Sequence, residues 1–286
     1  DSRTPLYFLI ASSVGNIVLD LVFVIVFHMG VAGVAWATFL AQGVSSLLAF
    51  VTLIKRLKGI ETPEGYAKFS WRMAVKISRV AVPSILQQSF ISVGNLFVQG
   101  LINSYGSAVV AGYSAGMKVN TFAITCFTTL GNGLSSFTAQ NTGAGKTERI
   151  SQGFRAGVKL VLCVAVPAFL LFFIFGPSVI RLFMSKGGEA AAQVGVEFLR
   201  IVSPFYMIIS FKLIADGVLR GSGSMKAFMI ATFTDLVLRV VLAFVLSVPF
   251  GAAGIWMSWP AGWVIGTGIS LFFYFTGVWK KKSGIV

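Results

Sequence analysis

Acidic residues are scarce in this chain: of 286 residues, 9 are Asp or Glu against 23 Lys or Arg, and only 11% are charged at all. With 56% hydrophobic residues and a mean hydropathy of +0.86, that composition excludes a water-soluble globular domain. Histidine and cysteine are as rare, with one His28 and the two cysteines Cys126 and Cys163. Both cysteines lie inside apolar runs, so neither a disulfide framework nor a zinc pattern can be built from them. One histidine, without a His-Glu-x-x-His or an Asp-rich diphosphate motif, leaves an intramembrane enzyme without its chemistry. No signal peptide is visible. The net charge of +14 could belong to a nucleic-acid binder. The basic residues instead cluster beside apolar runs, where the positive-inside rule accounts for them.

What the chain has in abundance is apolar runs. Eight are long enough to cross a bilayer, at residues 6–28, 31–54, 81–103, 109–139, 154–183, 190–219, 227–249 and 252–279, each near or above the roughly 20 residues a spanning helix needs. The pattern predicts an all-α polytopic membrane protein with eight transmembrane helices. Lys55, Arg56, Lys146, Arg149, Arg155, Arg220, Lys226, Lys280 and Lys281 fall in alternate connections. Those connections and both ends of the chain are expected on the cytoplasmic side, with Met29 and Gly188 outside. The only long polar connection is 55–80. Within it Phe69, Met73 and Ile77 recur every four residues among Lys68, Arg72, Lys76 and Arg79, which predicts an amphipathic helix over 66–79 in the cytoplasmic interface. Its functional use would be a hinge between lobes; its plainer use is a basic linker.

The first two runs form a hairpin about the turn His28-Met29-Gly30. Asn16 and Asp20, four residues apart, share one helix face. Asp20 precedes Met29 by nine residues and Thr38 follows it by nine, so at about 1.5 Å per residue both can lie on the order of 13 Å from the turn. A carboxylate at that depth marks an ion or proton path. The plainer reading is an Asp20 bonded to Asn16 as helix glue.

The hairpin recurs. Gly30-Val31-Ala32-Gly33-Val34-Ala35-Trp36 returns as Gly251-Ala252-Ala253-Gly254-Ile255-Trp256, which places Asp235, Arg239 and Trp259 where the first copy has Asn16, Asp20 and Thr38. Six spans separate the copies, so they share one orientation, as in a parallel repeat of six-helix units. The domain reading is therefore 1–54 as the last two helices of an N-terminal six-helix lobe, 55–80 as the linker, and 81–286 as a complete C-terminal six-helix lobe. The chain opens on Asp1 and reads as a piece of a longer one. Asp235 and Arg239, one turn apart, are expected to form a buried ion pair, with Arg239 as a permanent cation.

Other polar residues inside spans are Lys118, Arg200 and Lys212, the last with Asp216 four residues on. Buried cations need partners or snorkel to the interface. Gln87, Gln88, Asn95 and Lys118 could line a substrate cleft with the aromatic ring of Phe205, and such rings suit flat lipophilic cations. Structural helix contacts are the alternative for the amides. Gly143-Ala144-Gly145-Lys146-Thr147 looks like the end of a phosphate loop. It has Gln140 where the first glycine should stand, and it follows a membrane helix, so a tight helix end is its expected use.

Asp1-Ser2-Arg3-Thr4-Pro5 opening a span, Gln140-Asn141-Thr142-Gly143-Ala144-Gly145-Lys146 closing one, and Arg220-Gly221-Ser222-Gly223 before another together resemble the MATE (multidrug and toxic compound extrusion) exporters over the whole chain. The resemblance implies a twelve-helix, two-lobed exporter, driven by inward H+ or Na+, that moves small lipophilic and often cationic compounds. It implies a bacterial inner-membrane setting, a monomer, no cofactor beyond the coupling ion, no nucleic acid, and no metal beyond a Na+ at Asp20. The family's first-lobe cation site pairs an Asn and an Asp four apart on the fifth helix with a Thr on the sixth, which Asn16, Asp20 and Thr38 match. Its NorM-type branch carries a Glu on the seventh helix. Here that stretch, Pro83-Ser84-Ile85-Leu86-Gln87-Gln88-Ser89-Phe90-Ile91, has no acid, and Asp216 lies near the cytoplasmic Arg220, which favours the DinF-like branch. A lipid-linked precursor flippase of the same two-lobed fold is the alternative.

Overall fold

The computed structural model describes residues 3–59, 69–184 and 188–280, and every regular element among them is helical. The chain divides into two compact units, Asp1–Ser70 and Trp71–Val286.

The first unit is a single helical hairpin of α1 (Arg3–Leu21) and α2 (Gly30–Lys58). The C-terminal end of α1 widens into a π-helical turn over Val22–Val26. The reversal is made by His28 (φ 50°) and Gly30 (φ 56°), and glycine adopts that left-handed backbone without steric cost. Gly33 lets the second helix leave closely: a Cβ there would lie 3.0 Å from the Cβ atoms of Phe23 and Met29. Ser12 donates to the Ala41 carbonyl and Ser45 to that of Phe8. Leu9, Ile17, Phe39 and Leu47 are all more than half exposed, which suits a surface whose solvent is lipid.

The second unit holds α3 (Trp71–Asn103), α4 (Ser107–Gly143), α5 (Thr147–Arg181), α6 (Glu189–Val202), α7 (Tyr206–Gly221), α8 (Met225–Phe250) and α9 (Ala252–Phe275). A 3₁₀ turn at Ser203–Phe205, with Pro204 at its start, joins α6 to α7. Pro204 lacks the N–H a continuous helix would use, so the expected span 190–219 is one rod with a joint. With that joint counted as one rod, the described residues form eight helical rods, and six of these are apolar and long enough to cross a membrane.

α4 is the packing axis against α5, α6 and α7, while α8 lies along α9. Small residues make this possible. A Cβ on Gly131 would lie 2.7 Å from the Leu213 carbonyl oxygen, and one on Gly217 2.5 Å from that of Gly131. Tyr113 stacks on Trp256 at 5.1 Å, and Phe198 meets the same indole edge-on at 5.4 Å.

Two expectations are corrected here. α2 continues to Lys58 and α3 starts at Trp71, so most of the 55–80 linker is helix. Of the expected interfacial helix, 71–79 is the first turns of α3 rather than a separate element; residues 60–68 lie outside the described residues. Pro83 sits inside α3, which begins ahead of the expected span 81–103. The glycine-rich stretch at 143–147 is a helix-to-helix turn as expected: Gly145 has φ 70° and the Lys146 N–H donates to the Asn141 carbonyl at 2.8 Å, the long-range bond of a Schellman end. Gly223 (φ 75°) and the Ser224 to Leu219 bond repeat it after α7.

Candidate functional site

In the first unit, α1 and α2 bring Asn16 and Thr38 together: Asn16 Nδ2 donates to Thr38 Oγ1 at 3.3 Å. One turn further along α1, Asp20 is half-buried, and its Oδ1 is shut from solvent without a hydrogen-bond partner. Asp20 is therefore not glued to Asn16. A buried carboxylate oxygen left unpaired is costly, and a proton or a bound cation would remove that cost. The donor set of carboxylate, amide and hydroxyl oxygens is the hard set that alkali ions accept. Among the described residues, no group of three or more His, Cys, Asp or Glu could hold a metal.

In the second unit a cavity of about 520 Å³ opens between α3, α4, α7, α8 and α9. Gln87, Gln88 and Asn95 line it. Lys118 does not: it is exposed on α4 and outside the lining. Phe205 is also outside, held in the 3₁₀ turn and packed on the core. Among the cations that do line it, Lys212 of α7 is 3% exposed, so it does not snorkel.

Lys212 also overturns the expected Asp235–Arg239 pair. Its Nζ lies 2.8 Å from Asp216 Oδ2 and 3.7 Å from Asp235 Oδ2, so one ammonium serves carboxylates on two helices. Arg239 forms no ion-pair contact with Asp235 among the described residues; it lies over the Trp259 ring, 4.5 Å from its centroid, a cation–π contact. The physical reason is space. Gly262 and Gly266 of α9 leave room for Asp235 beside Lys212; a Cβ on Gly266 would lie 2.8 Å from Asp235 Cβ and 2.9 Å from Lys212 Cε. Asp216 is 5% exposed, and its other oxygen accepts a 2.6 Å bond from Ser270 of α9.

Further polar contacts join separate helices. Tyr206 donates to Asn120 at 3.0 Å in the core. Arg220 is held by Asn132 and Ser135 of α4 and lies over Phe228. Only the Lys212–Asp216 spacing of four announced itself in the sequence; the other partners are contributed by separate helices.

A family model described as MatE matches residues 83–245. The chain is 31% identical over 277 residues to the probable multidrug resistance protein YpnP of Bacillus subtilis, an alignment covering 96% of this chain and 59% of that protein. It is 25% identical over 292 residues to the probable multidrug resistance protein NorM of Thermotoga maritima, with 99% and 62% covered. The chain thus spans about three fifths of the length of these curated relatives. Among solved structures, a MATE crystallised in complex with MaL6 superposes with a TM-score of 0.86 at 22% identity, over 96% of this chain and 63% of that one. An outward-facing MATE family transporter of the MOP superfamily superposes at 0.85 and 22% identity, over 96% and 62%. Both likenesses concern the fold.

Proposed function

This chain belongs to the MATE family of transporters, and we propose that the protein it is part of exports small lipophilic compounds by alternating access, in exchange for H+ or Na+ entering at Asn16, Asp20 and Thr38. The observation that supports the coupling site is the buried, unpartnered Oδ1 of Asp20 beside the Asn16–Thr38 bond. Protonation or cation binding neutralises this carboxylate, so occupancy of the site biases the hairpin between two states. Asn16 and Thr38 orient the oxygens; Asp20 carries the charge.

In this reading the two units are the last two helices of one lobe and a complete second lobe, as monomeric parts of a bacterial inner-membrane protein with both ends of this piece cytoplasmic. The missing acid on α3 keeps the assignment with the DinF-like branch. The flippase remains the second reading, favoured by the three basic side chains of the cavity, Lys212, Arg220 and Arg239. The sequence pointed to lipophilic cations through aromatic faces; the sign of the charge a guest carries is set by the ionised groups around it.

The test uses the full-length protein in proteoliposomes. An imposed outward-directed H+ or Na+ gradient, high inside the vesicle, should drive substrate accumulation in the lumen by exchange, and Asp20→Asn should reduce it to background with expression intact; accumulation by that variant at the wild-type level would reject the site. Orientation is checked by single cysteines in a background lacking Cys126 and Cys163. An external thiol reagent should label Gly188→Cys and spare Lys146→Cys, and the reverse pattern would invert the topology.

A further inference from the structure

The cavity of the second unit is lined by Lys212, Arg220 and Arg239 against Asp216 and Asp235, one positive charge in excess. Its two acids are already occupied. Lys212 holds both, at 2.8 and 3.7 Å, and Ser270 holds the second oxygen of Asp216. The unbonded Oδ1 of Asp235 is turned to α9, where a Cβ on Gly262 would lie 2.6 Å from it. A cationic guest would have to displace an ammonium that is covalently tethered to the same wall, which competes at high effective concentration.

The groups left free are positive or donate hydrogen bonds. Neither Arg220 nor Arg239 forms an ion pair among the described residues. Arg220 has neutral partners, Asn132 and Ser135. Arg239 lies over Trp259, whose Nε1 is a buried donor without an acceptor in a residue 6% exposed. Both Arg239 and Trp259 face the cavity. An indole N–H withdrawn from water without an acceptor is costly, and the planar guanidinium of the half-buried Arg239 beside it matches an oxyanion in two-pronged fashion.

We infer that this cavity receives the oxyanion end, carboxylate or phosphate, of an amphipathic guest, with Arg239 as its main contact and the aromatic wall of Trp259 and Trp263 against the apolar body. The inference rests on the export reading only in that the guest is carried; binding itself stands apart from it.

The experiment measures affinity of the full-length protein in nanodiscs for a tail-matched set: decyl phosphate, decanoate and decyltrimethylammonium. The anions should bind about tenfold or more tighter than the ammonium. Arg239→Gln should remove about that factor for the anions and leave the ammonium unchanged, while Arg239→Lys should keep most of the anion preference. Competition by inorganic phosphate without a tail assigns the recognition to the head group, and a preference of phosphate over decanoate identifies which oxyanion is favoured. Equal or tighter binding of the ammonium to the wild type overturns the inference, as does a uniform loss across all three ligands in Arg239→Gln. Should that variant not fold, the wild-type series still decides the sign, and Arg239→Lys decides the residue. Cation-selective binding with gradient-driven transport intact would sink this inference and spare the export reading; anion-selective binding without any gradient-driven transport would do the opposite.

Discussion

In the hairpin of α1 and α2, Asn16 donates to Thr38 and Asp20 keeps an unbonded buried oxygen. At the corresponding places in the hairpin of α8 and α9 stand Asp235, Trp259 and Arg239, with the guanidinium over the indole and the carboxylate handed to Lys212 of α7. The backbones solve the reversal alike, by Gly30 at φ 56° and Gly251 at φ 59°, and each follows with a second glycine, Gly33 or Gly254, at a close helix crossing. The shared pattern therefore specifies the hairpin and not its electrostatics. An acid without an internal cation has an opening for a mobile one; an acid beside a tethered ammonium does not. This difference supports ion coupling through the first hairpin and a fixed charge arrangement in the second.

The comparison breaks most sharply on ion dependence. In the full-length protein, Asp20→Asn should bring gradient-driven accumulation to background, whereas the triple variant Lys212→Gln, Asp216→Asn, Asp235→Asn should keep its dependence on the gradient, whatever its rate. Loss of ion dependence in a folded triple variant would place the second unit in the coupling path. Next in size is Lys212→Met, which leaves two carboxylates buried without their partner and should destabilise by about 3–5 kcal/mol. Thermal unfolding in detergent reads this directly, and the neutral triple variant should recover most of the loss. If Lys212→Met is as stable as the wild type, the ammonium is not what balances those acids.

A smaller contrast tests packing. Gly266→Ala pushes a methyl against Asp235 and Lys212 and should cost about 1–3 kcal/mol. Gly15→Ala, where nothing lies within 4 Å, should stay within about 1 kcal/mol and on the stabilising side, since alanine favours helix. Equal melting temperatures for the two variants would contradict the tight α8–α9 contact. The smallest effect is expected of Thr38→Val, which removes the acceptor of the 3.3 Å bond from Asn16 and should cost about 0.5–1 kcal/mol. Its influence should show instead in ion affinity, as a rightward shift of the activating ion concentration.

Residue patterns close together in sequence proved readable. Four-residue spacing set Asn16 and Asp20 on one face, and Gly143 to Lys146 ended a helix; nine residues on either side of the turn put Asp20 level with Thr38, whereas Asn16, one turn earlier, is the residue that bonds Thr38. Lys118 and Phe205 were misplaced because span membership says nothing about which face a residue takes. The π-helical turn at Val22–Val26 and the 3₁₀ turn at Ser203–Phe205 re-aim faces that a uniform helix would predict differently. Asp235 was assigned to its neighbour on the same helix because that is the only partner a sequence offers.

Composition and periodicity by themselves determined that this is a bundle of apolar helices, where they reverse, and that one hairpin is used twice, since bilayer thickness and backbone hydrogen bonding leave a chain this apolar no other regular form. The tertiary structure alone decided which charge meets which. Lys212, Asp216 and Asp235 come from two helices, and the gap that admits them is made by Gly262 and Gly266 of a third. Ion pairing in a medium of low dielectric follows distances of a few ångströms, and those distances are set by helix packing rather than by order along the chain.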